Sequence, residues 1–506
     1  MKYRFNTDDL SLTERVCRIN ETNPERLDTS DFHPDHDLDV LKKFKEILLS
    51  YQDKRFFIVG DYDCDGICAT VIMKRLLDDL QIANNYYIPS RSKDGYGIND
   101  RIVKTAIDNG FEVILCVDNG IVAKSQLSLA REAGLKVLII DHHEYSEAPE
   151  ADAYLHPDLF PEAYADMCAG GLCALLSNSF RSDILTTVYG GIATLADMVS
   201  VFGYNRYLMK EMIRILNEEE ILPIRYLAGS GNIDYDMLSF QVIPKINAVS
   251  RLDERMNVNY VVRYLLDNSA ECMNYLNRIE EINRTRKELT RQMSSLAERI
   301  MDKDRKIIVV CSKTFKEGLC GLIANRMMYE YQKPVIVLTQ NGNELKGSGR
   351  SPKGSDLYSF LKKTEEIFLT YGGHEQAVGL SLNTDRLPEL LEYIFENDMP
   401  MEEQNKEVIV MDQNEIDFDL LKELDSLKPF GPDFPEPLLG IQAPRILRTF
   451  RSAGRFMKYT LNEKLDAIDF RYREEEDDCS MFIGKVKRDD YHTNKLSFVI
   501  EETLSF

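Results

Sequence analysis

The sequence predicts an α/β protein of two lobes, in which a parallel-sheet lobe is joined by a long helix to a smaller α/β lobe and a β-barrel follows. Short apolar runs alternate with amphipathic stretches from Phe56 to about Val201, a second alternation follows a helical repeat, and the residues after Pro429 turn to β patterning. Strand and helix signals in turn imply a mostly parallel sheet with helices on both faces. At 506 residues the chain exceeds what one hydrophobic core organises, so about two to four domains are expected.

Residues 1–55 read as an N-terminal extension. The opening MKYRFNTDDLSLTERV lacks the basic-then-apolar order of a secretory signal, and no run of about twenty apolar residues occurs. A cytoplasmic protein without a membrane partner is expected. Ten cysteines are scattered without metal-ligand rhythm and read as reduced core residues. A net charge of −22 argues against a broad nucleic-acid-binding face, so a polyanion would need a local basic cleft and metal ions.

Residues 56–270 form the first lobe, through FFIVG, IMKRLLDDL, NYYIP, IVKTAIDN, EVILCV, SQLSLAREAG and VLIID. Ligands of such sheets collect beyond the carboxyl ends of the strands, where Asp61, Asp118 and Asp141 stand. In the run GDYDCDG, Asp61, Asp63 and Asp65 alternate, and in an extended chain they would face one side. Like charges so close oppose one another's ionisation, and a multivalent cation relieves them. A calcium loop of the EF-hand kind is the first rival, but it needs a preceding helix and a Glu at the twelfth position, which is Ile72. Solvated turn residues are the second.

VDNG adds Asp118, IIDHHE adds Asp141, His142 and His143, and ATLADMVSV adds Asp197 within a predicted helix. Carboxylates with imidazoles suit manganese, whereas oxygens alone favour magnesium or calcium. His33, His36, His156 and His492 lack partners at ligand spacing and read as structural.

Residues 271–302 read as a connector helix, with Ile282, Leu289 and Leu296 at seven-residue spacing and Ile279, Met293 and Ile300 beside them. Residues 303–400 form the smaller lobe, with KIIVVCS, GLCGLIANRMMYEY, PVIVLTQ, GSGRS and GGHEQAVG. Residues 401–506 form the β domain, punctuated by GPDFPEP. In it Arg445, Arg448, Arg451, Arg455 and Lys458 lie near Phe450, Phe456 and Tyr459, a mixture that suits a single strand.

DYDCDG, VDNG, DHH and LADMV, in this order, resemble the DHH phosphoesterase superfamily, and within it the RecJ single-strand-specific exonucleases. YIPSRSKDGYG, MCAGGLCALL and IPKINAVSRLDE resemble RecJ segments, GSGRS and GGHEQAVG resemble the DHH-associated domain, and LKPFGPDFPEP resembles the start of the RecJ oligonucleotide-binding barrel. Ser250 stands where that family usually has glycine, Phe315 and Lys316 where a Trp-His pair is common, and Phe434 in place of Asn.

The resemblance implies two divalent cations, manganese before magnesium, with Asp118 bridging them. Asp63 would serve one ion, and Asp65, His142 and Asp197 the other. Asp61 stands either as a ligand or just behind one. Asp141 would orient a ligand and His143 would contact the scissile phosphate, which makes these two the catalytic pair. Substrate contacts fall to Arg91, Ser348, Arg350, Ser351, Gly373 and His374. The implied activity is hydrolysis of single-stranded DNA from its 5′ end to mononucleotides in repair and recombination, with single-strand-binding protein and a helicase as partners. The alternatives are a DHH phosphodiesterase acting on short oligoribonucleotides or cyclic dinucleotides, and an inactive scaffold that binds single strands.

Overall fold

Four consecutive apolar residues, Phe56–Val59, make a strand buried on both faces. Phe56 and Ile58 join one core while Phe57 and Val59 join another, so the two-residue period feeds two helical layers. Five strands pair in parallel in the order Asn84–Tyr87, Phe56–Val59, Val113–Val117, Lys136–Ile140, Ala153–Leu155. The helices Asp100–Asp108 and Lys124–Glu132 cover one face; Cys64–Asp79, Ala169–Phe180 and Ile184–Asp197 cover the other. In chain order the strands run 2-1-3-4-5, and the order reverses between Phe56–Val59 and Val113–Val117, where such sheets open a crevice for ligands.

This computed structural model describes residues 2–402, 405–452, 456–471, 480–489 and 492–505. The chain divides into two units: one comprises Phe32–Val199 and Gly203–Glu402, the other Met1–Asp31, Ser200–Phe202 and Glu403–Phe506.

In the larger unit the predicted connector is the helix Met273–Ile300. It buries Leu276, Ile279, Ile282, Met293 and Ala297, whereas Leu289 and Leu296 are only half-buried and Ile300 is exposed. Beyond it stands a five-stranded sheet in the order Phe368–His374, Ala377–Asn383, Glu344–Arg350, Val335–Asn341, Ile308–Cys311, in which only the last pair is parallel. The helix Glu317–Tyr331 buries Leu319, Ile323 and Met327 against it.

The smaller unit carries an eight-stranded mixed sheet whose edge strand, Lys2–Asn6, pairs in parallel with Asn405–Met411. The expected N-terminal extension is therefore split: residues 2–31 belong to this unit, while the helix Asp39–Ser50 buries Leu41, Phe44 and Leu48 in the larger one. At the opposite edge, Arg448 and Phe450 are exposed on the strand Arg448–Ser452. Lys458 pairs with buried Asp466 at 2.8 Å, and Tyr459 packs on Phe482 at 5.1 Å between ring centroids. Arg455 lies outside the described residues.

Candidate metal centre

The carboxylates gather at the crevice, although not through the alternation the sequence implied. Asp61 follows the strand Phe56–Val59 after one glycine, but the helix Cys64–Asp79 begins at once, with Asp63 as its N-cap accepting from Gly66 N at 3.1 Å. Asp65 therefore sits in the first helical turn and points elsewhere. A side chain at Gly66 would lie 2.6 Å from Asp61 N, so glycine is what lets the helix start against the strand end.

Asp118 ends the next strand with φ 62°, a conformation costly for a side-chain-bearing residue and tolerated where surroundings enforce it. Asn119 supplies that enforcement. Its Nδ2 donates to Val59 O at 3.0 Å and Val117 O at 2.9 Å, tying together the two strands at the reversal.

Three groups of side chains each present ligand atoms within 4.8 Å of one another: Asp61, Asp63 and Asp118; Asp65, His142 and Asp197; Asp118, His142 and His143. His142 Nε2 lies 3.3 Å from Asp118 Oδ1, 3.6 Å from Asp197 Oδ2 and 3.8 Å from Asp65 Oδ2, so it joins the first two groups. Asp61 Oδ1 and Asp118 Oδ1 are buried without a hydrogen-bond partner. Burial, then the neighbouring carboxylates, pushes both acids well above the usual carboxylate range, and the same causes raise Asp65 to about 6 and Asp197 to about 9. A cluster of this kind asks for cations; the all-oxygen group of Asp61, Asp63 and Asp118 suits magnesium or manganese, and the groups with an imidazole suit manganese.

The two histidines differ. Burial, with the adjacent charge of His143, lowers His142 to about 4, which leaves a neutral imidazole able to ligate. Burial works against the charge of His143 too, but the Asp141 hydrogen bond at 2.8 Å and the charges of Asp141, Asp197 and Asp61 together outweigh it and raise His143 to about 9. Asp141 directs its oxygens at Ile121 N at 3.0 Å, His142 N at 2.8 Å and His143, the arrangement of an orienting group.

Residues 55–192 match the DHH family, N-terminal domain; residues 293–397 match the DHHA1 domain; residues 409–502 match the RecJ OB domain. The chain thus carries, in this order, a DHH domain, a DHHA1 domain and a RecJ OB domain. The single-stranded-DNA-specific exonuclease RecJ of Bacillus subtilis is 28% identical over 444 residues, covering 83% of this chain and 56% of that protein. RecJ of Escherichia coli is 28% identical over 464 residues, covering 80% of this chain and 78% of its own length. The chain thus spans little more than half of the Bacillus relative. The crystal structure of RecJ in complex with Mn2+ from Thermus thermophilus superposes with a TM-score of 0.83 at 22% identity, covering 100% of this chain and 79% of that one, a likeness of fold.

Across from the DHH cluster, Ser348 and Arg350 of the DHHA1 lobe share one face of the strand Glu344–Arg350, both within 3.5 Å of where a methyl on Gly321 would sit. Arg251, which the sequence reading did not single out, is pushed down to about 9 by burial and by the charges of Arg91, Arg286 and Arg350, so guanidinium groups from both lobes crowd together. The Arg91 guanidinium lies 5.1 Å from the ring centroid of Tyr62, which stands between Asp61 and Asp63 in sequence.

Ser351 stands apart. It is buried, and its hydroxyl donates to Ser355 O at 2.8 Å and Glu375 O at 3.1 Å. His374 is exposed at the end of its strand, and a side chain at Gly373 would meet Ala377 O at 2.1 Å, so the hairpin's own closure demands that glycine.

Two further residues were not among the candidates. The Tyr96 hydroxyl lies 3.1 Å from both Asp118 O and His143 Nδ1. His156 Nδ1 accepts from Asp158 N at 3.2 Å, so its protonated Nε2 faces His143 O at 3.2 Å. The strand-end position of His156, level with the DHH triplet one strand away, was the available clue.

Proposed function

We propose that the chain hydrolyses single-stranded DNA from its 5′ end to mononucleotides, using two divalent cations, manganese or magnesium. The observation that carries this reading is the pair of buried, unpartnered oxygens on Asp61 and Asp118, set among further ligand-type groups at the sheet's crevice. The RecJ relatives, named for single-stranded DNA, supply the substrate.

Asp61, Asp63 and Asp118 would hold one ion, and Asp65, His142 and Asp197 the other, with Asp118 shared. Bound there, the ions supply an activated water and neutralise charge on the phosphate. The chain's own groups do the rest. Asp141 holds the His143 ring through the 2.8 Å hydrogen bond to Nδ1, so His143 is aimed at the scissile phosphate. Tyr96, whose phenol burial raises far above the physiological range, stays protonated as a hydrogen-bond donor beside it. Arg91, Arg251 and Arg350 fork onto backbone phosphates, and Ser348 and His374 extend that contact along the strand.

Among the described residues no helix is long and apolar enough to cross a membrane, and we read the enzyme as cytoplasmic. A helicase that exposes single strands and a protein that coats them are the partners such an activity needs in repair and recombination.

The test is digestion of 5′- and 3′-labelled oligodeoxynucleotides with manganese, magnesium or chelator, beside a two-nucleotide RNA. Mononucleotide release from the 5′ label, abolished by chelator, is expected. Degradation from the 3′ end alone overturns the polarity, and preference for the dinucleotide overturns the substrate.

A further inference from the structure

The geometry points to Asp253 as the residue that positions Arg91 for the nucleic-acid backbone, an inference that rests on the hydrolase reading above. Asp253 follows the helix Ile243–Arg251, far in sequence from the loop it grips. Its Oδ2 accepts from Ser90 Oγ at 2.6 Å and from Ser92 N at 2.9 Å, and its Oδ1 accepts from Ser92 Oγ at 2.8 Å. The two serines flank Arg91, so one carboxylate fixes the chain on both sides of it. Asp94 grips the same loop again, accepting from Ser90 N at 2.9 Å and Tyr87 Oη at 2.8 Å.

Held in this way, Arg91 is carried to the Tyr62 ring at 5.1 Å, beside the acidic cluster. Arg91, Arg251 and Asp253 line one cavity of about 250 Å³ together with Lys316 of the DHHA1 lobe. Asp253 engages hydroxyl and amide donors rather than a guanidinium, and among the described residues no ion pair neutralises Arg91, Arg251 or Arg350. The arrangement fixes a cation's backbone while leaving its charge free for an external anion. That is what a phosphate subsite needs, since a guanidinium already paired with a carboxylate has its fork occupied. Chain order announces none of this, because Ser90, Ser92 and Asp253 meet only in the fold.

A double-mutant cycle tests it, with Asp253→Ala, Arg91→Ala and the double variant assayed on a single-stranded 20-mer in manganese. Asp253→Ala is expected to raise KM by about tenfold, with a smaller loss in kcat, as misplacement of a binding group does. In the Arg91→Ala background the same change should add less than about twofold, because coupled residues are not additive. Ser90→Ala with Ser92→Ala should raise KM in the same direction but by less than Asp253→Ala, because Ser92 N still donates to Asp253, and Asp253→Asn, which keeps an acceptor, should recover part of KM. Equal effects of Asp253→Ala in both backgrounds, or an unchanged KM, would overturn the role.

Binding of a fluorescent 20-mer to chelator-treated protein is measured for the same variants. If the parent binds but does not cleave, the hydrolase reading falls while the cycle in binding still decides Asp253. If the parent cleaves and Asp253→Ala binds as the parent does, only the positioning role falls.

Discussion

Replacing Gly170 by alanine asks whether the helix that follows the metal cluster aims Asp65. The added methyl would lie 2.3 Å from Ala193 Cβ and 2.8 Å from Asp65 Oδ1. Carbon atoms in contact prefer about 3.5–4.0 Å, so a gap of roughly 1.2 Å or more must open. Overpacking of this size costs about 1–3 kcal/mol of stability. It also has a direction: Asp65 accepts from Ala169 N at 2.9 Å and Gly170 N at 2.6 Å, so a helix start driven outward takes the carboxylate's anchor with it. A misplacement near 1 Å costs up to about a hundredfold in rate. Gly349→Ala is the matched control, because its methyl would crowd Val378 and Leu357 at 2.6 and 2.7 Å in the DHHA1 core, away from the cluster. Urea unfolding is expected to show comparable losses for the two variants, while calorimetric titration with manganese shows weakened binding only for Gly170→Ala. If Gly170→Ala binds manganese as the parent does despite its lower stability, or if both variants lose affinity alike, the aiming argument is wrong.

Asp118→Ala should abolish cleavage, by about a thousandfold or more, yet leave strand binding measurable by anisotropy, because in the proposed reading it removes the shared ligand and not the arginines. Metal-free protein should lose stability as pH rises from 6.5 to 9. Asp197, raised to about 9, and His143, also raised to about 9, both hold more protons folded than unfolded across that window, while the opposing effect of His142, lowered to about 4 from 6.5, is largely complete where the window begins. Added manganese should therefore raise Tm more at pH 9 than at 6.5, and a constant increment in thermal scans would contradict the assignment. Ser351→Ala should cost about 1–3 kcal/mol in urea unfolding, since the one hydroxyl proton shared by Ser355 O and Glu375 O is lost and only Glu375 O keeps a second donor, Leu357 N, and an unchanged midpoint would return Ser351 to the substrate contacts.

Much of the centre was legible because of how parallel sheets are built. The strands Phe56–Val59 and Val113–Val117, and Lys136–Ile140 after its first residue, are buried on both faces, so they read as unbroken apolar runs, and the first polar residues after them are the carboxylates of the crevice. The reach of Asp63 and Asp65 was not legible. Alternation looks the same in extended chain and in a tight strand-to-helix turn, and what separates them is that Asp63 caps Gly66 N. The edge strand Lys2–Asn6 was invisible for another reason: its register partner begins at Asn405, and an exposed edge carries no apolar signature to announce the pairing. The connector seam was only half right, because a seven-residue spacing drifts around a straight helix and Leu289 and Leu296 slide toward solvent.

The charge balance of the chain explains why its two kinds of site need each other. A protein of net charge −22 repels a polyanion at long range, and its acidic centre would repel the scissile phosphate at short range as well. In the proposed reading, cations among Asp61, Asp65, Asp118 and Asp197 would reverse the sign at short range, while Arg91, Arg251 and Arg350 would do so along the approach. The two devices differ in what salt does to them. Arginine contacts to phosphate weaken as counterions compete, whereas ions held by buried carboxylates are screened far less. Raising salt from about 50 to 200 mM should therefore raise KM for a 20-mer steeply while kcat at saturating strand changes little. A parallel fall of both kcat and affinity would mean that the arginines and the cluster act as one site rather than as capture followed by chemistry.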